Sequence, residues 1–390
     1  MNEEAIMKKI PTAVLAVAVS AAMAVAMAAS APAAPAGEPL ATPARMSPKA
    51  PQALMLGVAQ AGLRLVAVGE RGIIIYSDVG GSEWTQAGVP VGVTLTAVHF
   101  PDAEHGYAAG HDGAVLSSRD GGRHWSKVLD GVAINALMLA EAKQAAESAQ
   151  QALERAAPAA KEAAQAAVDR AQNALGDVEA ALKFGPSRPL LAAWFRNPGT
   201  GWVVGAYGQI LRTGDAGRHW ESLAARVPNP EGLHFNSIGP GMDGTLLMAG
   251  EGGRVYRSAD DGSSWRGYDT GYKGQLYGVL EPQPNTLLAY GFGGRVLRSA
   301  DGGAHWQELP QLGGKALVGG AVLLDGSIVL AARDGALFRS SDMGRSFAVQ
   351  QAGGNLEIAA LAMLGQAPIL AGVGGVHRAA AIEARKAGQQ

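Results

Sequence analysis

The sequence predicts an all-β protein, a seven-bladed β-propeller with an inserted α-helical hairpin. Three observations predict it: a motif that recurs about every forty residues, four short apolar segments in each period, and an Ala-rich insertion after the second unit. The motif reads Gly-x-x-Gly, an apolar stretch, then Ser/Thr-x-Asp-x-Gly-x-x-Trp/Phe. A fixed period of this length indicates a repeat architecture. The Gly-x-x-Gly quartets begin at Gly69, Gly110, Gly205, Gly250, Gly291 and Gly372, with a degenerate quartet at 332–335.

The second unit shows what one period builds. Apolar segments at 95–100, 106–109, 114–118 and 124–129 are separated by turns rich in Gly and Asp. Four short strands with such turns are typical of one antiparallel propeller blade. A single blade leaves both sheet faces uncovered, whereas a closed ring lets each blade cover its neighbours. We therefore expect the propeller to span residues 53–378.

The seventh unit predicts how the ring closes. Residues 356–378 lack the Ser/Thr-x-Asp motif and a clear fourth strand, and an open sheet edge is a liability. The Ala/Pro-rich segment 32–52 reads as a linker, and we expect its part 40–52 to add a ring-closing strand to blade seven. The C-terminal tail, residues 379–390, is expected to be a short helix or disordered.

The turn between the third and fourth strands carries the repeated side chains. A short Asp accepts hydrogen bonds from backbone N–H groups of its own turn, and Gly adopts conformations that other residues avoid. We therefore predict a structural role for these residues. In the first unit Val79 takes the Asp position and Asp78 comes one step early. The repeated Asp and aromatic pairs are Asp120 and Trp125, Asp215 and Trp220, Asp260 and Trp265, Asp301 and Trp306, and Asp342 and Phe347.

This turn resembles the Asp-box, or bacterial neuraminidase repeat, of sialidases, sortilin-type receptors, xyloglucanases and photosystem II assembly-factor propellers. Residues 291–306 are most similar to the photosystem II assembly/stability factor family, which also occurs in non-photosynthetic bacteria, and the resemblance covers most of residues 54–378 outside the insertion. It implies a non-enzymatic scaffold, assembly or accessory factor for a membrane-protein complex. An accessory role beside an RND-type envelope transporter fits as well.

The insertion, residues 135–184, is rich in Ala, Gln, Glu and Lys, which are strong helix formers. Pro158 suits the first turn of a helix and marks a break, so we expect an antiparallel helical hairpin. It joins the outer strand of blade two to the inner strand of blade three. It should therefore emerge on the Gly-turn face, the ring surface formed by the Gly-x-x-Gly turns.

We expect a protein partner to bind the Gly-turn face beside the hairpin. The alternative is that the hairpin is a solvent-exposed insertion without a binding role. The family resemblance also implies an arginine patch for partner contact, and Arg254 and Arg295 are the better matches by location. The alternative role for these two arginines is to form salt bridges between blades. The candidate partner-binding residues are Glu70, Arg71, His111, Asp112, Tyr207, Glu251, Arg254, Phe292, Arg295 and Arg333.

Residues at the N-terminus predict export. Lys8 and Lys9 precede an apolar run over 10–29 that ends in small residues, which is typical of a signal peptide. We expect residues 1–31 to be that signal and the protein to be periplasmic without a membrane span after cleavage; the alternative is an uncleaved anchor. A formal net charge of −2 argues against a general nucleic-acid binder. With no Cys, disulfides and thiol chemistry are excluded.

The sequence offers no catalytic constellation. No His or Glu cluster has metal-ligand spacing, we expect no cofactor, and the arginine motif of sialidases is missing. Asp112, Glu251 and Asp334 are acids that turns place near the axis, but nothing singles out a facing pair. We therefore expect no enzymatic activity, with a periplasmic or secreted glycoside hydrolase as the alternative.

Overall fold

The computed structural model describes residues 38–183, 185–186, 188–351 and 353–382. Within these ranges 27 strands form seven antiparallel sheets, in which neighbouring strands follow one another in the chain. The predicted seven-bladed propeller is confirmed. The expected signal peptide lies outside the described residues, as do the first part of the linker and residues 383–390 of the tail.

The first three blades each contain four strands. Blade one consists of β1 (Met55–Ala61), β2 (Arg64–Gly69), β3 (Ile74–Ser77) and β4 (Thr85–Gln86). Blade two consists of β5 (Leu95–His99), β6 (Gly106–Gly110), β7 (Val115–Ser118) and β8 (Ser126–Leu129). Blade three consists of β9 (Leu190–Phe195), β10 (Gly201–Gly205), β11 (Ile210–Thr213) and β12 (Glu221–Ser222).

The remaining blades repeat this order, and the last has three strands among the described residues. Blade four consists of β13 (Phe235–Pro240), β14 (Leu246–Gly250), β15 (Arg254–Ser258) and β16 (Arg266–Asp269). Blade five consists of β17 (Leu276–Gln283), β18 (Thr286–Gly291), β19 (Val296–Ser299) and β20 (Gln307–Glu308). Blade six consists of β21 (Leu317–Val322), β22 (Ile328–Ala332), β23 (Leu337–Ser340) and β24 (Ala348–Gln351). Blade seven consists of β25 (Ile358–Leu364), β26 (Ala367–Gly372) and β27 (Gly375–Arg378).

The second strand of every blade is the core of the ring. Each residue of these seven strands is buried, because neighbouring blades cover both faces of the sheet. Strands buried on both faces are continuous apolar runs rather than alternating ones. The first strands are only partly buried, since one of their faces lines the central channel.

Ring closure differs from the expectation. Residues 40–52 form no strand; they end in a single 3-10 turn, Ala50–Gln52, that packs against β27. The Pro51 carbonyl oxygen lies so close to Gly375 that a Cβ there would approach it to 2.0 Å. Proline lacks the N–H that a sheet ladder requires, and four of the residues in 38–52 are proline. The predicted ring-closing strand is therefore wrong.

Apolar packing closes the ring instead. Blades one and seven share one buried cluster, which includes Met55, Leu65 and Ile75 from blade one and Ile369 and Ala371 from blade seven. Among the described residues, one hydrogen bond links the two blades, from the Arg378 guanidinium to the Gly80 carbonyl at 3.4 Å. The segment before blade one hydrogen-bonds to residues that follow β4, with the Ala44 N–H 3.0 Å from the Val89 carbonyl.

The predicted helical hairpin is present. Its helices are α1 (Gly131–Arg155) and α2 (Lys161–Leu182), joined through a 3-10 turn at Pro158–Ala160. The first helix starts at Gly131 rather than in the expected 135–184, because Asp130 caps it by accepting the Ala133 N–H at 3.0 Å. Neither helix, nor any other in the described part of the chain, is long and apolar enough to cross a membrane.

Candidate partner-binding face

The Gly turns share one backbone design. The residue after the first position of the quartet, which is Gly in six blades and Ala332 in blade six, donates its N–H to the carbonyl that precedes the inner strand, at 2.8–3.0 Å in all seven blades. The first Gly brings the chain into this contact: a Cβ on Gly205 would lie 2.3 Å from the Pro189 oxygen, and one on Gly250 would lie 2.2 Å from the His234 oxygen. Backbone atoms therefore hold these turns, whatever side chains they carry.

The second residue inside the turn is left-handed in six blades, and three of these six blades place a side chain there. Arg71, Asp112 and Tyr207 have φ of 54°, 54° and 57°. Residues with a Cβ seldom adopt this conformation, and such positions concentrate at functional sites. The Arg71 side chain is 85% exposed and Tyr207 is 62% exposed. The strained positions thus present side chains to solvent.

Aromatic rings are exposed on two of the turns. Tyr207 in blade three stands at 4.9 Å, edge to face, from the His234 ring, and the Arg188 guanidinium lies 5.5 Å from the Tyr207 ring centre. Phe292 in blade five is 60% exposed. Sequence reasoning missed Arg188 and His234, although both lie just ahead of an inner strand, where a side chain faces the Gly turns.

The predicted arginines lie on the same face and are partly paired. Arg254 lies 3.5 Å from Asp269, and Arg295 contacts Glu308, in each case across the third and fourth strands of one blade. Arg333 lies 3.8 Å from Glu357 and its side chain is 53% exposed. These pairs are solvent-exposed and therefore weak, so the guanidinium groups remain accessible to a partner.

Two of the predicted acidic residues form hydrogen bonds with the backbone of their own blades. Glu70 accepts the Leu54 N–H at 3.1 Å, and Glu251 accepts the His234 N–H at 3.2 Å. Both carboxylates satisfy the backbone just before an inner strand. This geometry favours a structural role for Glu70 and Glu251, whereas His111 is exposed at the start of its turn.

The base of the hairpin lies on the Gly turn of blade two. A Cβ on Gly113 would meet the Gly131 nitrogen at 2.8 Å, and Ile134 of α1 is 2% exposed in a cluster with Leu129 and Leu190. Farther along α1, Glu141 accepts the Ser222 N–H at 3.3 Å, and burial raises the pKa of this carboxyl. The hairpin is thus anchored to blades two and three beside the candidate residues.

The seven inner strands enclose a channel cavity of about 320 Å³. Arg333 reaches it, and Asn236 of the lining donates to the Gln275 side chain at 3.0 Å. The second residue of each inner strand contributes to its wall: Leu56, Thr96, Leu191, Asn236, Tyr277, Val318 and Ala359. None of the acids Asp112, Glu251 and Asp334 lines this cavity. Among the described residues, no group of three or more His, Asp or Glu could hold a metal ion.

The Asp-box turns, at the opposite ends of the blades, have the predicted local geometry. One oxygen of Asp120 accepts the N–H groups of Arg123 and His124, each at 3.0 Å, and also the Ser118 hydroxyl at 2.9 Å. The Trp125 indole donates to the Gly122 carbonyl at 2.9 Å. Desolvation alone would raise the pKa of Asp120, but the bonds from His124 and Ser118 lower it to about 2.

Blade one replaces the missing Asp with a different contact. Asp78, one position early, pairs with Arg64 at 2.6 Å, and Arg64 also donates to the carbonyls of Asp120 and Gly121 in blade two. The displaced carboxylate therefore ties two blades together. Arg257 and Glu281 form a similar link between blades four and five at 3.3 Å.

Comparisons with known proteins agree with this architecture. The family model of photosynthesis system II assembly factor YCF48 matches residues 181–309, and no curated protein matches the chain. The solved structure of YCF48 bound to D1 peptide has a TM-score of 0.57 at 16% identity, over 83% of this chain and 92% of that one. YCF48 from Cyanidioschyzon merolae has a TM-score of 0.55 at 15% identity, over 86% of this chain and 96% of that one.

The WD40 propeller domain of Doa1 gives a TM-score of 0.55 at 9% identity, over 87% of this chain and 94% of that one. At such identities the structural matches show the fold, while the family model adds sequence evidence for blades three to five. Over residues 181–309 the sequence thus matches the photosystem II assembly factor family that its motifs resemble, and the fold is that of a seven-bladed propeller.

Proposed function

We propose that this protein is a non-enzymatic assembly or accessory factor that binds a subunit of a membrane-protein complex through its Gly-turn face. The observation that carries the proposal is the pair of exposed rings, Tyr207 and Phe292, on a surface that also holds Arg254 and Arg295. Large exposed aromatic and arginine side chains are enriched where proteins bind one another. The peptide complex of YCF48 supports this role, because it is a propeller of the same fold with a bound protein segment.

The chemistry of the face favours a partner segment that is partly apolar and partly acidic. Tyr207 and Phe292 provide apolar contact area with few rotatable bonds to immobilise. The guanidinium groups of Arg254, Arg295 and Arg333 bind carboxylates in a planar, two-pronged geometry. The hairpin is anchored at blades two and three, and its first helix of 25 residues, roughly 37 Å long, offers additional surface to a partner.

We also propose that the protein works in the periplasm, which the charged and apolar pattern of residues 1–31 supports. An RND-type envelope transporter is then one candidate complex. Cell fractionation together with the mass of the mature chain tests this part. Recovery of the full-length chain in the cytoplasm would contradict it.

A pull-down from detergent-solubilised envelope, analysed by mass spectrometry, tests the binding role. We expect one membrane complex to be enriched by the wild type and lost by at least tenfold with the double variant Tyr207→Ala/Phe292→Ala, since hot-spot truncations cost about 2 kcal/mol or more. A matched control is Leu324→Ala/Val349→Ala, which removes two apolar side chains that are at least as exposed but lie outside the Gly turns.

A second variant isolates the hairpin. Replacing residues 139–180 with a short Gly/Ser link keeps Ile134 and the packed base of α1, so the ring should fold while complex formation weakens. Equal capture by the wild type and both face variants would refute the docking surface. Absence of any membrane protein from the wild-type sample would refute the proposed function itself.

No described feature favours the hydrolase alternative. Glu251 is engaged by the His234 N–H, and Asp334 accepts the Ala336 N–H at 3.2 Å. Glycosidases place two free carboxyl groups across a cleft. Turnover of a sialoside or glucan that disappears in Glu251→Gln or Asp334→Asn would reverse this conclusion.

A further inference from the structure

A second cavity, of about 460 Å³, lies along the inner strands of blades four and five. It differs from the channel cavity in its lining and shares none of the candidate partner-binding residues. Glycines at 239, 241 and 278 widen it, and Val322 of blade six forms part of its wall. The remaining apolar lining consists of Ile238, Pro240, Met242, Val279 and Leu280.

Two residues that line this cavity, Ser237 and Tyr290, carry hydroxyl groups without a hydrogen-bond partner among the described residues. Tyr290 is 6% exposed, and its phenol makes no hydrogen bond in the described part of the chain. The Ser237 hydroxyl oxygen is buried and equally unpartnered. The Ser237 oxygen is enclosed by protein atoms, whereas the Tyr290 hydroxyl oxygen keeps accessible surface, so the Tyr290 hydroxyl is the group whose missing partner a ligand in the cavity can supply.

Glycine makes room for the phenol. A Cβ on Gly278 would lie 2.2 Å from the Tyr290 hydroxyl oxygen, and one on Gly320 would lie 2.9 Å from its ring. Burial raises the pKa of Tyr290, so its hydroxyl stays neutral and able to donate. The ring is thus held between blades five and six while the hydroxyl remains available to the cavity.

The charged groups at the cavity are already paired. The Glu281 side chain is 1% exposed; it accepts the Met242 N–H at 2.7 Å and the Asn285 N–H at 3.2 Å, and it lies 3.3 Å from Arg257. In the described part of the chain, no other ionisable side chain except the Tyr290 phenol lines the cavity. A charged ligand would find no counter-charge there, and burying an unpaired charge is costly.

We propose that this cavity binds a small, neutral, mostly apolar molecule whose carbonyl or hydroxyl oxygen accepts a hydrogen bond from the Tyr290 hydroxyl. The volume lies within the range of small-molecule pockets, about 300–1,000 Å³, and such pockets combine apolar walls with a few polar groups. The site goes beyond the proposed partner binding, which involves the Gly-turn face.

Three probes of similar shape test whether the cavity prefers a neutral molecule with a hydrogen-bond acceptor: acetophenone, ethylbenzene and benzoate. Each is titrated with the full-length protein, and its binding is followed by ligand-observed NMR. We expect acetophenone to bind about three- to tenfold tighter than ethylbenzene, because one neutral hydrogen bond contributes a factor of this size. Benzoate should bind more weakly than both. Tyr290→Phe should lower the acetophenone affinity toward that of ethylbenzene and leave ethylbenzene binding unchanged.

A filling variant locates the site. A Cβ on Gly239 would meet nothing within 4 Å, so Gly239→Leu should place its side chain in the cavity and abolish binding of every probe. Gly214→Leu, also in open space but away from this cavity, is the matched control. No binding of any probe at about 10 mM, where even weak fragments register, indicates a cavity that holds water only and overturns the proposal. Unchanged acetophenone binding by Tyr290→Phe overturns it as well.

Discussion

In the Asp-box turns side chains form the hydrogen bonds that fix the loop, whereas in the Gly turns the backbone forms them. Asp120 accepts two N–H groups and a hydroxyl of its own turn, and the Trp125 indole closes on Gly122. In a Gly turn the key bond runs from one backbone N–H to the carbonyl before the inner strand. The Asp-box end therefore needs particular side chains to hold its turns, whereas the Gly-turn end is held mainly by backbone atoms.

This difference explains where sequence varies around the ring. The two residues inside the Gly turns are Glu-Arg, His-Asp, Ala-Tyr, Glu-Gly, Phe-Gly, Arg-Asp and Val-Gly, so charge and size change from blade to blade. The Asp-box turns repeat nearly the same residues. Loops on a rigid scaffold are where proteins place binding residues, and only the Gly-turn end can vary without loss of its turns.

The largest expected effect is on the backbone contact of a Gly turn. In Gly205→Ala the new Cβ would approach the Pro189 oxygen to 2.3 Å unless the ends of the two strands shift. Blade six carries Ala332 at this position and keeps the equivalent bond at 2.8 Å, so such a shift is possible. We therefore expect a loss of about 1–3 kcal/mol in the free energy of unfolding by urea, the range for overpacking. Gly214→Ala, in an Asp-box turn with open space around it, should change stability by less than about 0.5 kcal/mol.

A smaller effect is expected from an inter-blade contact near the Asp-box end. His99 accepts the Phe195 N–H at 3.2 Å, and burial lowers the pKa of its ring to about 4. Since the unfolded pKa is near 6.5, the unfolded state takes up a proton first, and stability falls as the pH drops from about 6.5 to 4.

The shift corresponds to a loss on the order of 2–3 kcal/mol over that pH range. His99→Asn keeps an acceptor for the Phe195 N–H but does not titrate. Urea unfolding at pH 7 and pH 4.5 should therefore show a smaller drop for the variant. An equal pH dependence in both proteins would show that His99 is not the titrating group.

Removing one Asp-box carboxylate should lower the free energy of unfolding by less than protonation of His99 does. Asp120→Ala leaves the N–H groups of Arg123 and His124 without their acceptor, and we expect a loss of about 1 kcal/mol in stability, because the turn is partly open to water. Val79→Ala, at the same position of blade one and 55% exposed, should be nearly neutral.

The Asp120 carboxylate should also make the stability of the protein depend on pH in the acid range. The pKa of Asp120 is lowered to about 2, so its contribution is complete above about pH 4 and lost as the pH falls toward 2. Asp120→Asn should therefore flatten the stability profile between pH 4 and pH 2. A steeper acid loss in the variant would contradict this assignment.

The smallest effect on stability is expected from the exposed rings. Tyr207→Ala/Phe292→Ala removes side chains that are each about 60% exposed, from turns held by backbone atoms. We expect a change of less than about 0.5 kcal/mol, as for other surface sites. A large loss of stability would show that the Gly turns depend on their side chains after all, and the comparison of the two ends would fail.

The sequence was informative where geometry is local. Gly, Asp and Trp at fixed spacing encode each turn by itself, so the blade count, the Asp-box geometry and the hairpin could all be predicted. The helix start at Gly131 had a local signal too, in the capping Asp130. The repeat pattern conceals this signal, because it predicts the fourth strand of blade two over residues 124–129, directly before Asp130.

Long-range packing was not predictable in the same way. The contact between Ala50–Gln52 and β27 joins segments that are far apart in the chain, and no local residue pattern predicts it. The hydrogen bonds that Glu70 and Glu251 accept from the backbone depend on the torsion angles of these two side chains. The link from Arg64 to Asp78 and Asp120 depends on the orientation of two neighbouring blades.

Closure by packing rather than by a shared strand has a consequence for the order of the chain. Among the described residues, every sheet draws its strands from one continuous stretch, so sequence order and order around the ring coincide. A circular permutation that joins residue 378 to residue 53 and opens the chain between any two other blades would divide none of the sheets. Such an architecture can gain, lose or reorder whole blades as units, and its folding can start in any one of them.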